Sequence, residues 1–266
     1  MLRRITVLGA LAGPLLAAPA AHAQTAATAG EAFGAKGQFI FSAERLFDLF
    51  AYTNNKFNPD GTTNNDTTIS GSSVSLLYGA NGTPTLAGNQ FGQVSSGVGT
   101  FYTVPRIGFD YTIIDNLTIG GDLVVFFGLG GSAHTNPSTQ SQDLPSSNLF
   151  GIAPRVGYII GMNDVLSFWL RGGLHFYNMN VDTTTGQING CAPGQTNVHV
   201  FGFDLDPQVV ISPTNHFAFT AGPALDWGAL GGVEVPDPGV GNCARTTNAS
   251  FESLHFGLNA GLLGWF

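Results

Sequence analysis

Charge is what this chain has least of. Lys, Arg, Asp and Glu make up 10% of its 266 residues, against roughly 25% in a soluble globular domain. Lys and Arg number 9 against 17 Asp and Glu, a net charge of −8. So few cations form no basic stripe, which argues against nucleic acid as a partner. Long apolar runs are also missing beyond the first two dozen residues, and the mean hydropathy is only +0.16. A polytopic helical membrane protein is therefore excluded. Cysteine is nearly absent, at 2 residues, so neither a disulfide-dense scaffold nor a cysteine-built zinc site is available. What the chain does have is 37 Gly and 21 Phe, with many Thr, Ser and Asn. That mixture suits a barrel that meets lipid outside and packs small polar groups inside.

The first residues read as a secretory signal. Arg3 and Arg4 precede an apolar stretch from Ile5 to Ala18, interrupted by Gly13 and Pro14. Ala21-His22-Ala23 supplies small residues at the two positions a signal peptidase needs, which places cleavage between Ala23 and Gln24. The stretch is too short and too broken for a good transmembrane anchor. The expected organisation is a signal over 1–23, a short N-terminal segment over 24–36 and one membrane domain over 37–266.

Alternation with a period of two runs through the rest. In 98–114, Ile107, Phe109, Tyr111 and Ile113 oppose Arg106, Gly108, Asp110 and Thr112. In 165–179, Leu166, Phe168, Leu170, Leu174 and Phe176 oppose Ser167, Arg171, His175 and Tyr177. The segments 117–132, 149–161, 197–211 and 216–229 alternate in the same way. In the last strand, 249–266, Leu254, Phe256, Leu258, Ala260, Leu262, Gly264 and Phe266 share one face. Ser253, His255, Gly257, Asn259, Gly261, Leu263 and Trp265 share the other. An apolar face backed by small and polar residues fits a strand between lipid and a barrel interior.

Turn chemistry orders these strands. Asp115-Asn116, Gly161–Asp164 and Ser212–Asn215 are tight-turn sequences. The remaining connections, 53–97, 133–148, 180–196 and 230–248, are long and polar. Short turns on one side and long loops on the other are the asymmetry of outer-membrane barrels. With 37–52 as the first strand the count is eight, and Ser72–Tyr78 then extends the rim or forms a small hairpin. A further strand within 53–97 would make ten.

An alternating final strand that ends on an aromatic, Phe266, resembles the C-terminal signature of bacterial outer-membrane β-barrels. The whole layout resembles their small eight-stranded OmpA/OmpX-like members. The resemblance implies a closed all-β, antiparallel up-and-down transmembrane barrel in the outer membrane. It also implies that the assembly machinery reads the last strand, here at Phe266, Leu262 and Leu258. The role it implies is non-enzymatic: envelope integrity, adhesion or shielding, with outer-membrane lipid and an extracellular ligand of the loops as partners. No appended periplasmic domain is expected.

Eight strands enclose a space just wide enough for side chains. The positions expected inside are Glu44, Arg106, Asp110, Asp122, Arg155, Arg171, Asp204, Asp206 and Asp226. Charges there must be paired, because isolated ones cannot bear the loss of water. The same residues allow an alternative, a narrow gated conduit that favours cations. Glu44 and Arg45 are adjacent, so strict alternation would turn one toward lipid. Either a bulge near Ala43–Leu46 or a place at the rim must relieve that.

Other chemistry is thin. Cys191 and Cys243 fall in two outer loops, and an oxidising compartment favours a disulfide between them. Ser132 and His134 stand two apart, which raises a lipid-modifying outer-membrane enzyme as a further alternative, but no Asp or Glu sits at an obvious partnering spacing, so no catalytic site is expected. The turn cluster Asn58–Asp66 lacks the calcium-loop spacing. No cofactor or metal is expected. Phe217, Phe219, Trp227, Tyr158, Trp265 and Phe266 fit aromatic girdles at the two interfaces.

Overall fold

The computed structural model describes residues 32–58, 67–73, 101–128, 131–134, 141–144, 146–182, 195–236 and 246–266. The proposed cleavage site at Ala23 and Gln24, and both Cys191 and Cys243, lie outside them. Among the described residues eleven strands follow in chain order: β1 (Phe39–Asn58), β2 (Thr67–Ser73), β3 (Arg106–Ile114), β4 (Leu117–Gly128), β5 (Gly131–His134), β6 (Ser141–Leu144), β7 (Ser147–Gly161), β8 (Leu166–Asp182), β9 (Gln195–Thr214), β10 (Phe217–Pro236) and β11 (Thr246–Trp265). β5 and β6 form a separate hairpin. The others make one antiparallel sheet that closes on itself. β1 pairs β11 from Ile40↔Trp265 to Asn58↔Ser250, so the ring has no free outer edge strand at that seam. Closure matters because an unpaired edge in hydrocarbon would strand backbone donors and acceptors.

The wall has eight staves, and the second is built from two strands. On the side of β1 away from β11, its lower half pairs β3 (Phe39↔Tyr111 to Glu44↔Arg106) and its upper half pairs β2 (Ala51↔Ser73 to Phe57↔Thr67). This corrects two expectations. The stretch 53–97 is not all loop, since β1 continues to Asn58 and β2 lies within it. Nor is 98–114 all strand: residues 101–103 form a helical turn, and β3 starts at Arg106. β8, β9, β10 and β11 likewise run into the spans read as loops. The last tight turn shifts by one pair, to Asn215-His216 between Thr214 and Phe217.

Alternation decides the faces. Ile107, Phe109, Ile119, Leu123, Tyr158, Phe203, Leu225, Phe256 and Leu258 are exposed on the outer wall. Asp110 and His175 are fully buried, and Arg106, Arg155 and Arg171 nearly so. The molecule is therefore apolar outside and charged inside, as a strand ring immersed in lipid requires.

The short-turn end is closed by residues 32–38. Gly37 donates its N–H to Thr112 O at 2.8 Å and Thr112 donates back to Gln38 O at 2.9 Å. Asn116, at φ 69°, donates to Gly34 O at 2.8 Å. These bonds bring Phe33 up into the mouth, where its ring meets Trp169 edge-on at 5.6 Å and Trp265 at 5.2 Å. Trp265 is thus a lumen residue and not part of a girdle. Ile40, Ile159, Val210, Ala218 and Leu263 complete this apolar floor. Phe33→Ala is expected to lower stability by about 1–2 kcal/mol, the transfer value of a partly buried ring. A urea titration should show an earlier midpoint at unchanged slope.

Candidate functional site in the barrel lumen

The site begins with a defect in β1. Ala43 opposes Leu262 but Phe47 opposes Ala260, so two extra residues are accommodated there. Arg45 takes the left-handed conformation, φ 52°, which costs an L-residue and persists only where surroundings hold it. The bulge turns both Glu44 (4% exposed) and Arg45 (3%) inward. This is the relief the adjacent charges demanded, and it takes the form of a bulge.

Above the apolar floor lies a chain of ion pairs. Arg155 grips Glu44 with both terminal nitrogens, at 2.9 and 2.7 Å. It also grips Asp110, through Nε at 3.1 Å and Nη2 at 2.5 Å. Arg171 reaches Glu44 at 2.7 Å with Nη1 and Asp206 with Nη2. Gln208 donates to Asp206, and Ser42 donates to Glu44 at 2.5 Å. Trp169 lies under the Arg171 guanidinium at 4.5 Å, adding a cation–π contact. Gly108 makes room for this cluster: a Cβ there would sit 2.5 Å from Glu44 Oε1 and 2.7 Å from Arg155 Nη2.

A second cluster sits higher. Arg45 forms a bidentate pair with Asp226 at 2.9 and 3.0 Å and donates to Tyr102 O at 2.5 Å. Arg106 donates to Phe101 O at 3.1 Å and to Asp122 at 3.4 Å. The two backbone carbonyls belong to the helical turn at 101–103, which lies inside the barrel. Tyr102 stacks on His255 at 5.0 Å, and its hydroxyl bonds Ser253. Phe101 stacks on Tyr177 at 5.7 Å, which stacks on His175 at 4.8 Å. Around this turn, Phe57, Val104, Leu149, Met179, Val198 and Phe251 make an apolar ceiling. The lumen is thus three filled layers: an apolar floor, a charged middle and an apolar ceiling.

Eight of the nine interior residues read from the sequence meet an ionic partner: Glu44, Arg106, Asp110, Asp122, Arg155, Arg171, Asp206 and Asp226. Asp204 stands apart, half-buried, with Oδ1 unbonded among the described residues. Sequence reasoning missed Arg45, Tyr102 and Phe33. For Arg45 the signal was its neighbour Glu44. Tyr102 and Phe33 lie in segments whose fold depends on contacts far along the chain, and nothing local marked them. The backbone of 131–134 is strand, carrying Ser132 and His134. Among the described residues no group of three or more His, Cys, Asp or Glu is arranged to hold a metal ion.

No protein-family model matches the chain, and no curated protein matches it. Solved structures do resemble it. The outer membrane protein OprG of Pseudomonas aeruginosa is 11% identical, with a TM-score of 0.45, over 87% of this chain and 97% of that one. The outer membrane protein AlkL, solved in lipid bilayers, is 11% identical with a TM-score of 0.45, over 92% and 96%. Neisserial surface protein A is 12% identical with a TM-score of 0.38, over 87% and 98%. By its own strand pairing, apolar exterior and charged interior, this chain is a closed eight-stave transmembrane β-barrel.

Proposed function

We propose that the protein is a bacterial outer-membrane barrel with a sealed lumen, exported through a cleaved signal and acting without catalysis at the cell surface. The observation that carries this reading is the filled interior. Phe33 closes the floor, the Arg155–Glu44–Arg171–Asp206 chain fills the middle, and Phe101–Val104 fill the top. A barrel whose described interior is packed in three such layers offers partners its rim. Envelope integrity, adhesion and shielding are roles such a rim can serve, with an extracellular ligand at the outer loops. The assembly machinery is the expected partner of the C-terminal strand.

In a planar bilayer the purified protein should give no steady conductance. In fractionated envelopes it should run as an outer-membrane band whose mobility changes on boiling. Deletion within 183–194 or 237–245 should alter surface binding and leave that band intact. A soluble protein without the mobility change would overturn the reading.

One observation favours a second reading, a narrow cation conduit. Among the described residues the lumen holds Glu44, Asp48, Asp110, Asp122, Asp204, Asp206 and Asp226 against four arginines, Arg45, Arg106, Arg155 and Arg171. Asp204→Asn and Arg106→Gln would then change conductance and ion preference. An electrically silent protein disposes of it.

A further inference from the structure

Three neighbouring staves change character at the same place on the outer wall. The outward residues of β7 from Phe150 to Ile160, of β8 from Leu166 to Phe176 and of β9 from Phe201 to Ile211 are aliphatic, aromatic, proline or glycine. At about 3.3 Å per residue and a tilt of about 40°, each such run rises about 25 Å, the height of the apolar band of an outer-membrane barrel. The next outward residues are Asn148 on β7, Asn178 and Asn180 on β8, and His199 and Asn197 on β9. Asn180 opposes Asn148 on one side and Asn197 on the other. Glu234 of β10 opposes Asn197 in turn and is exposed.

The amides bond to one another in a single direction. Asn197 donates through Nδ2 to Asn180 Oδ1 at 2.7 Å, and Asn180 donates through Nδ2 to Asn148 Oδ1 at 3.2 Å. Asn178 Oδ1 accepts longer bonds from Asn180 and Asn197, both at 3.5 Å. Each amide has two N–H groups and two lone pairs, so these bonds orient the row and use only part of it. The Asn148 and Asn178 Nδ2 atoms take part in none of them, and neither does Asn197 Oδ1. The row therefore offers donors at its β7 end and acceptors at its β10 end, where the Glu234 carboxylate adds to them. His199 lies over Gly232, where a Cβ would come 2.7 Å from its Cε1. Among the described residues of these four strands, no Lys or Arg stands beyond the apolar band.

We propose that this amide row binds the uncharged sugar headgroup of a membrane glycolipid. A sugar hydroxyl both donates and accepts, so neighbouring hydroxyls can meet both ends of the row. A phosphate only accepts, and it would face Asn197 Oδ1 and the Glu234 carboxylate with no cation to balance them. An ammonium only donates, and it would leave the Asn148 and Asn178 donors unmet. Height sets the lipid as the source of the sugar. The row starts where the band stops, and Phe150, Phe176 and Phe201 just below it are exposed. A lipid whose chains lie along these rings carries its headgroup to the amides. Being a site at a lipid boundary, it rests on the membrane reading above.

The test is native mass spectrometry of the protein released from phosphatidylcholine nanodiscs. These carry equal amounts of monoglucosyl diacylglycerol, diacylglycerol and phosphatidic acid, all with the same acyl chains. The native protein should retain the glucosyl lipid about fivefold over each of the others, the ratio that one net hydrogen bond gives. Asn180→Leu cuts the row at its centre and should bring that ratio close to one. Asn54→Leu should leave it unchanged, because Asn54 points outward on β1, away from the row. Folding of each variant is read from its shift on boiling. Maltotriose should not be retained by the protein in a sugar-free detergent. Retention of diacylglycerol or phosphatidic acid at the level of the glucosyl lipid overturns the proposal. So does a ratio that survives Asn180→Leu or that Asn54→Leu abolishes as well. Retention of maltotriose overturns the lipid source. A native chain that never enters nanodiscs overturns the membrane reading itself.

Discussion

Arg155→Leu should destabilise the barrel by about 3–5 kcal/mol, the cost of breaking a buried pair by removing one partner. Arg155 holds Glu44 and Asp110 together and lies 3.5 Å from Asp122. Its loss leaves Asp110, at 0% exposure, with no cation in hydrogen-bonding reach among the described residues, while Glu44 keeps Arg171 and the Ser42 hydroxyl. Arg155→Lys keeps the charge but loses the fork that grips two carboxylates, so it should recover only part of the loss. Adding Asp110→Asn to Arg155→Leu should also recover part, because the stranded charge is gone. Urea titrations in lipid vesicles, read by the band that shifts on boiling, would give these differences. A loss for Arg155→Leu below about 1 kcal/mol would mean that water reaches the middle layer, as at an exposed pair, and the sealed-lumen reading would fall.

A charge on the outer wall should cost nearly as much, for the opposite reason. Leu258→Arg is expected to lose about 2–4 kcal/mol of folding stability in a bilayer, the value for Arg near the midplane of a barrel's lipid face. Leu258 is 40% exposed and lies between Phe50 and Pro223 on the neighbouring strands. Ser250→Arg is the control. Ser250 is exposed on the same face of β11, beyond Glu252, and opposes Asn58. There the cost should fall to about 0–1 kcal/mol. Equal losses at the two positions would mean that the apolar belt does not face hydrocarbon.

Much of this architecture was legible because a strand's faces are set by parity alone. Phe109 and Asp110 are adjacent, and the pleat sends one out and one in without help from the rest of the fold. The same parity put Arg106, Asp110, Arg155 and Arg171 in one interior before any pairing was known. Which acid meets which arginine was not legible. Arg155 and Glu44 are far apart in sequence and meet only because β1 and β7 face each other across a closed ring. Parity also fails where the chain leaves the sheet. Tyr102 sits in a run that alternates like a strand, yet it turns into the lumen because Arg45, Ser253 and His255 converge on it from β1 and β11.

By itself the sequence determined the period, the apolar outer face, the polar inner one and the short turns, since each is a local property of neighbouring residues. Tertiary structure alone decided the split second stave, the bulge that turns Glu44 and Arg45 the same way, and the rings of Phe33 and Tyr102 that close the lumen at its two ends. These depend on a cylinder having closed. Only then does an interior exist whose space and charge must be filled from whichever segments can reach it.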